Sequence, residues 1–226
     1  MSFIHFMQNP KAYLKTHDMY VAANALAGGS VNAQPAVALP GNNGFSKRYD
    51  WVGGSSITMA MGNANKPNTF KGKVKRGLGL AGPLRRDYGV QQNGANADIG
   101  FRYLPDVKGH VTYMSMNAAA RLCLTGPLSG CTVAAARDGG GTLWFFHAFR
   151  EDAARGPSAF PTQLRMILLL CTSLGIPHAN VHGCGYKVHY DGLGFAFGRQ
   201  RPNNVWKFYV YYNDGRVRKT VKWGEL

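Results

Sequence analysis

Residues 125–147 read TGPLSGCTVAAARDGGGTLWFFH, and the fold is read outward from this stretch. Two apolar runs, 132–136 and 142–146, flank Arg137-Asp138-Gly139-Gly140-Gly141. Asp-Gly between two strand-like runs is a strong short-range hairpin signal. If Arg137 faces Gly141 across a three-residue Asp138-Gly139-Gly140 loop, Cys131 lies directly opposite His147. Opposed residues in antiparallel strands hold their Cβ atoms about 4.5–5.5 Å apart and point to one face. A two- or four-residue loop shifts the register by one and sends the pair to opposite faces. The sequence therefore predicts a Cys–His pair at the open end of a hairpin, on the condition of a three-residue loop.

The chemistry of such a pair is nucleophilic. The thiolate is the reactive form of cysteine, and an adjacent imidazole lowers the barrier to forming it by accepting the thiol proton. Cys131 attacks a carbonyl carbon, and His147 takes the proton and returns it to a leaving amine. Backbone N–H groups around Ser129-Gly130-Cys131 are the natural oxyanion donors, with Gly130 allowing close approach or positive φ. A third group should orient the imidazole. Thr125, six residues before Cys131, is the first candidate, and Glu151 and Asp152 are weaker ones. Asp138, at the far end of the hairpin, is too distant. The competing reading is plain: a cysteine in an apolar run is often only a small buried hydrophobe.

The segment resembles the catalytic core of bacterial glutamine deamidases: the cytotoxic necrotizing factor catalytic domain, the Burkholderia lethal factor and, more distantly, the chemotaxis receptor deamidases. In the two toxins a Leu-Ser-Gly-Cys turn delivers the nucleophile into a strand, and a histidine on the next strand completes the pair. Here the matching residues are Leu128, Ser129, Gly130 and Cys131, with His147 on the following run. The lethal factor and the chemotaxis enzymes also carry a threonine six positions before the cysteine, which is Thr125 here. The resemblance implies hydrolysis of a glutamine side-chain amide in a target protein through a thioester, with no metal or organic cofactor. With an amine in place of water the same site acts as a transglutaminase. It further implies a toxin or virulence effector that leaves the bacterial cytoplasm and reaches a target-cell cytosol.

Composition sets outer limits. A chain of 226 residues, 45% hydrophobic and 12% aromatic, buries a substantial core and reads most simply as one domain over 1–226. Cys123, Cys131, Cys171 and Cys184 lack the spacing of a disulfide framework, so a reduced working state fits them. The N-terminal MSFIHFMQNPKAYLK has no signal-peptide apolar core or cleavage site. The longest apolar stretch, 166–171, falls well below the roughly 20 residues of a membrane span. The net charge of +15 is the main competing clue. Seven basic residues and no acidic one lie in 66–86, and seven more face only Asp214 in 199–222. Such patches attract nucleic acid, anionic membrane or an acidic protein surface. A basic rim that steers an acidic protein substrate onto the pair is the preferred reading. A basic binding module without chemistry is the rival.

Along the chain, Asn9-Pro10 reads as the start of a helix that closes at Gly28-Gly29, with Leu14, Val21 and Ala25 on one face. Residues 29–109 read as a loop-rich basic region with short strands near 57–61 and 99–104. A strand is expected over 110–116 and a helix over 160–174, opened by Pro161 and stopped by Gly175 and Pro177, with Leu164, Ile167, Leu168 and Cys171 as its apolar stripe. Residues 205–212 alternate, placing Trp206, Phe208, Val210 and Tyr212 on one face before a turn at Asn213-Asp214-Gly215. The expected class is α+β, a β-sandwich-like core of mixed and antiparallel strands flanked by helices. His178, His182, Cys184 and His189 invite a zinc reading, but their spacing does not match paired zinc ligands, and no metal is assigned. They read instead as a glycine-containing strand, with Cys184 as the alternative nucleophile. A peptidase acting through Cys131 and His147 remains an alternative to the deamidase.

Overall fold

The computed structural model describes residues 8–21, 31–40, 44–51, 57–60, 86–92, 101–116, 120–126, 128–149, 159–213 and 218–226. A short helix, α1 (Pro10–Thr16), runs directly into strand β1 (His17–Val21). Strands β2 (Val31–Ala33), β3 (Val37–Ala38), β4 (Phe45–Trp51), β5 (Ile57–Ala60), β6 (Arg86–Gln92) and β7 (Phe101–Leu104) follow. The next four are β8 (His110–Met116), β9 (Leu122–Thr125), β10 (Thr132–Arg137) and β11 (Leu143–Ala148). Helix α2 (Ala159–Ser173) precedes β12 (His182–Gly185), β13 (Leu193–Gln200), β14 (Trp206–Asn213) and β15 (Arg218–Glu225).

The strands form a seven-stranded sheet ordered β12-β10-β11-β8-β4-β2, with β3 also on β4, and a five-stranded sheet ordered β15-β14-β13-β9-β7. A third sheet has three strands, ordered β1-β6-β5. Most neighbours are antiparallel, but β4 runs parallel to β8 and β7 parallel to β9, so the sheets are mixed. The expected class, α+β around a sheet core, is the one observed.

Side-chain alternation explains the layering. On the seven-stranded sheet Val133, Ala135, Leu143 and Phe145 face the five-stranded sheet, meeting Ala196, Phe208, Val210 and Tyr212. Phe145 and Phe208, both fully buried, stack across this layer with centroids 5.9 Å apart. The opposite parity, Ala134, Ala136, Phe146 and Ala148, faces Met166, Ile167, Leu170 and Cys171 of α2. Of the expected helix stripe, Ile167 and Cys171 are buried, while Leu164 and Leu168 are only half-buried. The helix is rotated so that Met166, Leu170 and Gln163 complete its inner face.

Two expectations change, and a third lies outside the described residues. The N-terminal helix stops at Thr16 rather than at Gly28-Gly29, because residues 17–21 pair in parallel with β6. Tertiary pairing overrides helix propensity there. Asn9 does cap the helix, its side chain accepting the Ala12 N–H at 3.2 Å. Residues 29–109 contain strands β2 to β7 rather than two short ones, while 66–85 lie outside the described residues. The turn expected at Asn213-Asp214-Gly215 falls largely in 214–217, also outside them, between paired Asn213 and Arg218. Among the described residues no helix is long and apolar enough to cross a membrane.

Candidate functional site

The β10–β11 hairpin forms, with its register displaced by two residues from the expected one. Arg137 pairs with Leu143 and Val133 with His147, where the sequence predicts Arg137 with Gly141 and Cys131 with His147. The loop does hold three residues, but they are 139–141 rather than 138–140: the Asp138 N–H donates to Thr142 O at 3.0 Å. The Gly141 N–H closes a turn onto Asp138 O at 3.0 Å, and Gly141 has φ 81°. Asp suits the first position of such a turn, and the left-handed position after it needs glycine. Asp138 locks the arrangement by accepting the N–H groups of Gly140 and Thr142 and the Trp144 indole. A shift of two preserves strand parity. Cys131 and His147 therefore share one face of the sheet, one diagonal step apart, within the layer between the two large sheets.

Cys131 arrives there on a crossover. Strands β7 and β9 run parallel, with Leu104 beside Thr125. Both segments then leave the five-stranded sheet for the seven-stranded one, the first through residues 105–109 and the second ending in residues 128–131. The second crossover is seated by Leu128, which exchanges backbone hydrogen bonds of 2.7 and 3.0 Å with Gly194. Leu128 is buried, the Ser129 residue is exposed, and Gly130 has φ 134°, a conformation that suits glycine. The Gly130 carbonyl accepts the side-chain amide of Gln163 at 2.9 Å, and the Cys131 carbonyl accepts the Tyr190 hydroxyl at 2.8 Å.

The first crossover brings Asp106. The Thr112 hydroxyl donates to Pro105 O at 2.6 Å, and its oxygen lies 3.2 Å from the His147 carbonyl oxygen. Thr112 also pairs with His147 in the sheet, so the turn carrying Asp106 is fastened to the histidine's strand. The Asp106 carboxylate lies against Gly126, where any side chain would collide with it.

The pair is closed at rest. Cys131 is 2% exposed and His147 1%. Burial pushes the Cys131 thiol up to about 12, offset in part by a hydrogen bond from the Ser129 backbone. Burial holds the His147 imidazole down at about 4, with the Asp106 charge opposing that shift. The resting state is thus a neutral thiol beside a neutral imidazole. Among the described residues neither Nδ1 nor Nε2 of His147 has a hydrogen-bond partner. A buried imidazole with both nitrogens open is unusual and retains its full capacity to accept and donate a proton.

The Thr125 hydroxyl makes no hydrogen bond to His147 in this structure. Its hydroxyl accepts the Ala196 N–H at 3.0 Å and lies 3.0 Å from Gly126 O, so it joins β9 to β13. Glu151 and Asp152 lie outside the described residues. Asp106 is the acidic group whose field reaches both Cys131 and His147. Sequence spacing did not flag it, because it reaches the site only through the parallel β7–β9 pairing. The residues of the zinc reading disperse. His178 Nε2 meets Thr172 and Leu168 O, the His189 ring accepts the Gly185 N–H, and Cys184 is fully buried opposite Val133. Among the described residues no group of three His, Cys, Asp or Glu side chains is placed to hold a metal ion. Cys184 shares the face of Cys131, and burial raises its thiol well above the ordinary value.

No protein-family model matches the chain, and no curated protein matches it. Among solved structures, the C-terminal domain of CNFy from Yersinia pseudotuberculosis is similar at 13% identity with a TM-score of 0.26. That alignment covers 50% of this chain and 52% of that one, so the chain spans about half the length of the neighbour it matches.

Proposed function

We propose that this protein is a Cys–His hydrolase that deamidates a glutamine side chain of a target protein. The observation that supports the reading most is the shared face of Cys131, immediately before β10, and His147 on β11, with Cys131 delivered by the Leu128-Ser129-Gly130 turn. In this reading the Cys131 thiol gives its proton to His147 as the sulfur attacks the amide carbon. The carbonyl oxygen becomes an oxyanion facing backbone N–H groups of the turn. His147 then donates its proton to the departing amine, so that ammonia leaves and a thioester remains. His147 next removes a proton from water, the hydroxide adds to the thioester, and collapse releases glutamate and regenerates the thiol. Asp106 favours the imidazolium that exists in both halves of the cycle.

The neutral resting pair bears on reactivity. Charge separation in a dry site is costly, so the resting thiol reacts slowly at neutral pH and faster as the pH rises toward its raised titration. Arg201 and Lys219 are exposed, while Lys207 and Lys222 share the single carboxylate of Glu225, which leaves a positive balance on the five-stranded sheet suited to an acidic partner. The reading keeps the protein in the class of effectors that act inside a target cell.

The test is ammonia release from lysate proteins, run with wild type, Cys131→Ser and His147→Asn in the presence of a fluorescent primary amine. Release with wild type and none with either variant is expected. Amine incorporation identifies a transglutaminase, and chain cleavage a peptidase, at the same pair. Ammonia release by a folded Cys131→Ser protein contradicts the proposal.

A further inference from the structure

The inner face of α2 is apolar except for Gln163, which is fully buried beside Met166, Ile167 and Leu170. Its Nε2 donates to Gly130 O at 2.9 Å, while its Oε1 has no partner among the described residues. A buried amide with half its capacity unmet destabilises the fold. A methionine or leucine would fill the same face without that cost. The side chain is therefore better explained by what its one hydrogen bond does.

That bond fixes a direction. The peptide joining Gly130 to Cys131 is planar and trans, so its C=O and N–H point oppositely. Gln163 draws the Gly130 carbonyl toward α2, on the helix side of the seven-stranded sheet. The Cys131 N–H therefore points away from α2, toward the layer that holds the Cys131 side chain and the Tyr190 hydroxyl. The next carbonyl, that of Cys131, is held by the Tyr190 hydroxyl at 2.8 Å from within that layer. Both peptide planes flanking the nucleophile are thus pinned, one from each side of the sheet.

We infer that Gln163 is a positioning residue, which aims the Cys131 N–H at the oxygen of the carbonyl under attack, with Tyr190 as the second clamp. The inference rests on the reading of Cys131 as a nucleophile. It separates two kinds of reaction at one sulfur. Acylation passes through a tetrahedral oxyanion and needs the aimed N–H, whereas alkylation has no oxyanion and does not.

The experiment compares acetylation of Cys131 by p-nitrophenyl acetate with alkylation by iodoacetamide, each followed by intact and peptide mass. Wild type, Cys131→Ser and Gln163→Met are compared, the last preserving volume while removing the amide. The expected result is a fall of about a hundredfold in acylation for Gln163→Met, with alkylation within about threefold of wild type. Gln163→Glu guards against a folding failure: its acid form can donate to Gly130 O and its ionised form cannot. Its acylation-to-alkylation ratio should return toward the wild-type value as pH falls. Equal changes in both reactions, or none in either, or a Gln163→Glu ratio that stays low at every pH, overturn the inference and leave the nucleophile standing. A wild-type Cys131 inert to both reagents overturns the nucleophile, and the inference with it.

Discussion

The carboxylate of Asp106 acts on Cys131 and His147 in the same direction, opposing thiolate formation and favouring the imidazolium. Removing its charge therefore has a definite sign. In Asp106→Asn the thiol should ionise at lower pH, moving the pH profile of Cys131 alkylation downward, and the imidazole should protonate only at still lower pH. An unshifted alkylation profile would show that the Asp106 field does not reach the sulfur. Thr125 has the opposite character. In Thr125→Val the buried Ala196 N–H loses its acceptor, which costs about 1–3 kcal/mol of stability. Urea unfolding should record that loss while the alkylation profile stays at its wild-type position. A shifted profile with unchanged stability would return Thr125 to the role of orienting His147.

At the scale of elements, the hairpin shows which features are legible in a sequence. Asp-Gly-Gly-Gly between apolar runs announced the turn, and strand parity fixed the face that Cys131 and His147 share. The register was not legible, because any of three glycines can occupy the left-handed position. The choice fell to Asp138, whose carboxylate gathers two backbone N–H groups and the Trp144 indole. The Trp144 hydrogen bond is the largest cause of the lowered Asp138 titration. In Asp138→Ala the hairpin should lose about 1 kcal/mol, read as a lower urea midpoint with a change in Trp144 fluorescence. The register should persist, since the apolar faces of both strands hold it. Loss of Cys131 reactivity in that variant would mean that the turn, not the faces, sets the pair. The first helix illustrates the converse limit: Asn9 marks its start by local chemistry, but its end at Thr16 is set by pairing with β6, far along the chain.

For the whole molecule, burial of titratable groups sets a window of stability. The His147 imidazole titrates at about 4 in the folded protein against an ordinary 6.5. Between those values the unfolded chain binds more protons, so stability is full above 6.5 and falls with pH toward 4, by on the order of 3 kcal/mol. The buried thiols act at the other end. Cys131 and Cys171 are pushed up to about 12 from 9.0, so the folded protein holds protons that the unfolded chain releases. Stability therefore falls again as pH rises above 9. Urea midpoints should form a plateau between about 6.5 and 9, and replacing His147 with a neutral Asn should flatten its acid edge. A wild-type acid edge retained in His147→Asn would place the responsible group elsewhere. The sandwich also explains why the candidate site was half legible. Cys131 and His147 are local to one hairpin, whereas Asp106, Gln163 and Tyr190 are brought to it by a parallel strand pair, a covering helix and a turn after β12. Only the assembled layers place them together.

Peptide-resolved mass spectrometry of target-cell proteins incubated with wild type or Cys131→Ser tests the central claim most directly. The account predicts a glutamine-to-glutamate shift at a defined residue with wild type and none with the variant. The same shift with a folded Cys131→Ser protein, or no modification together with a Cys131 inert to alkylation, would contradict it.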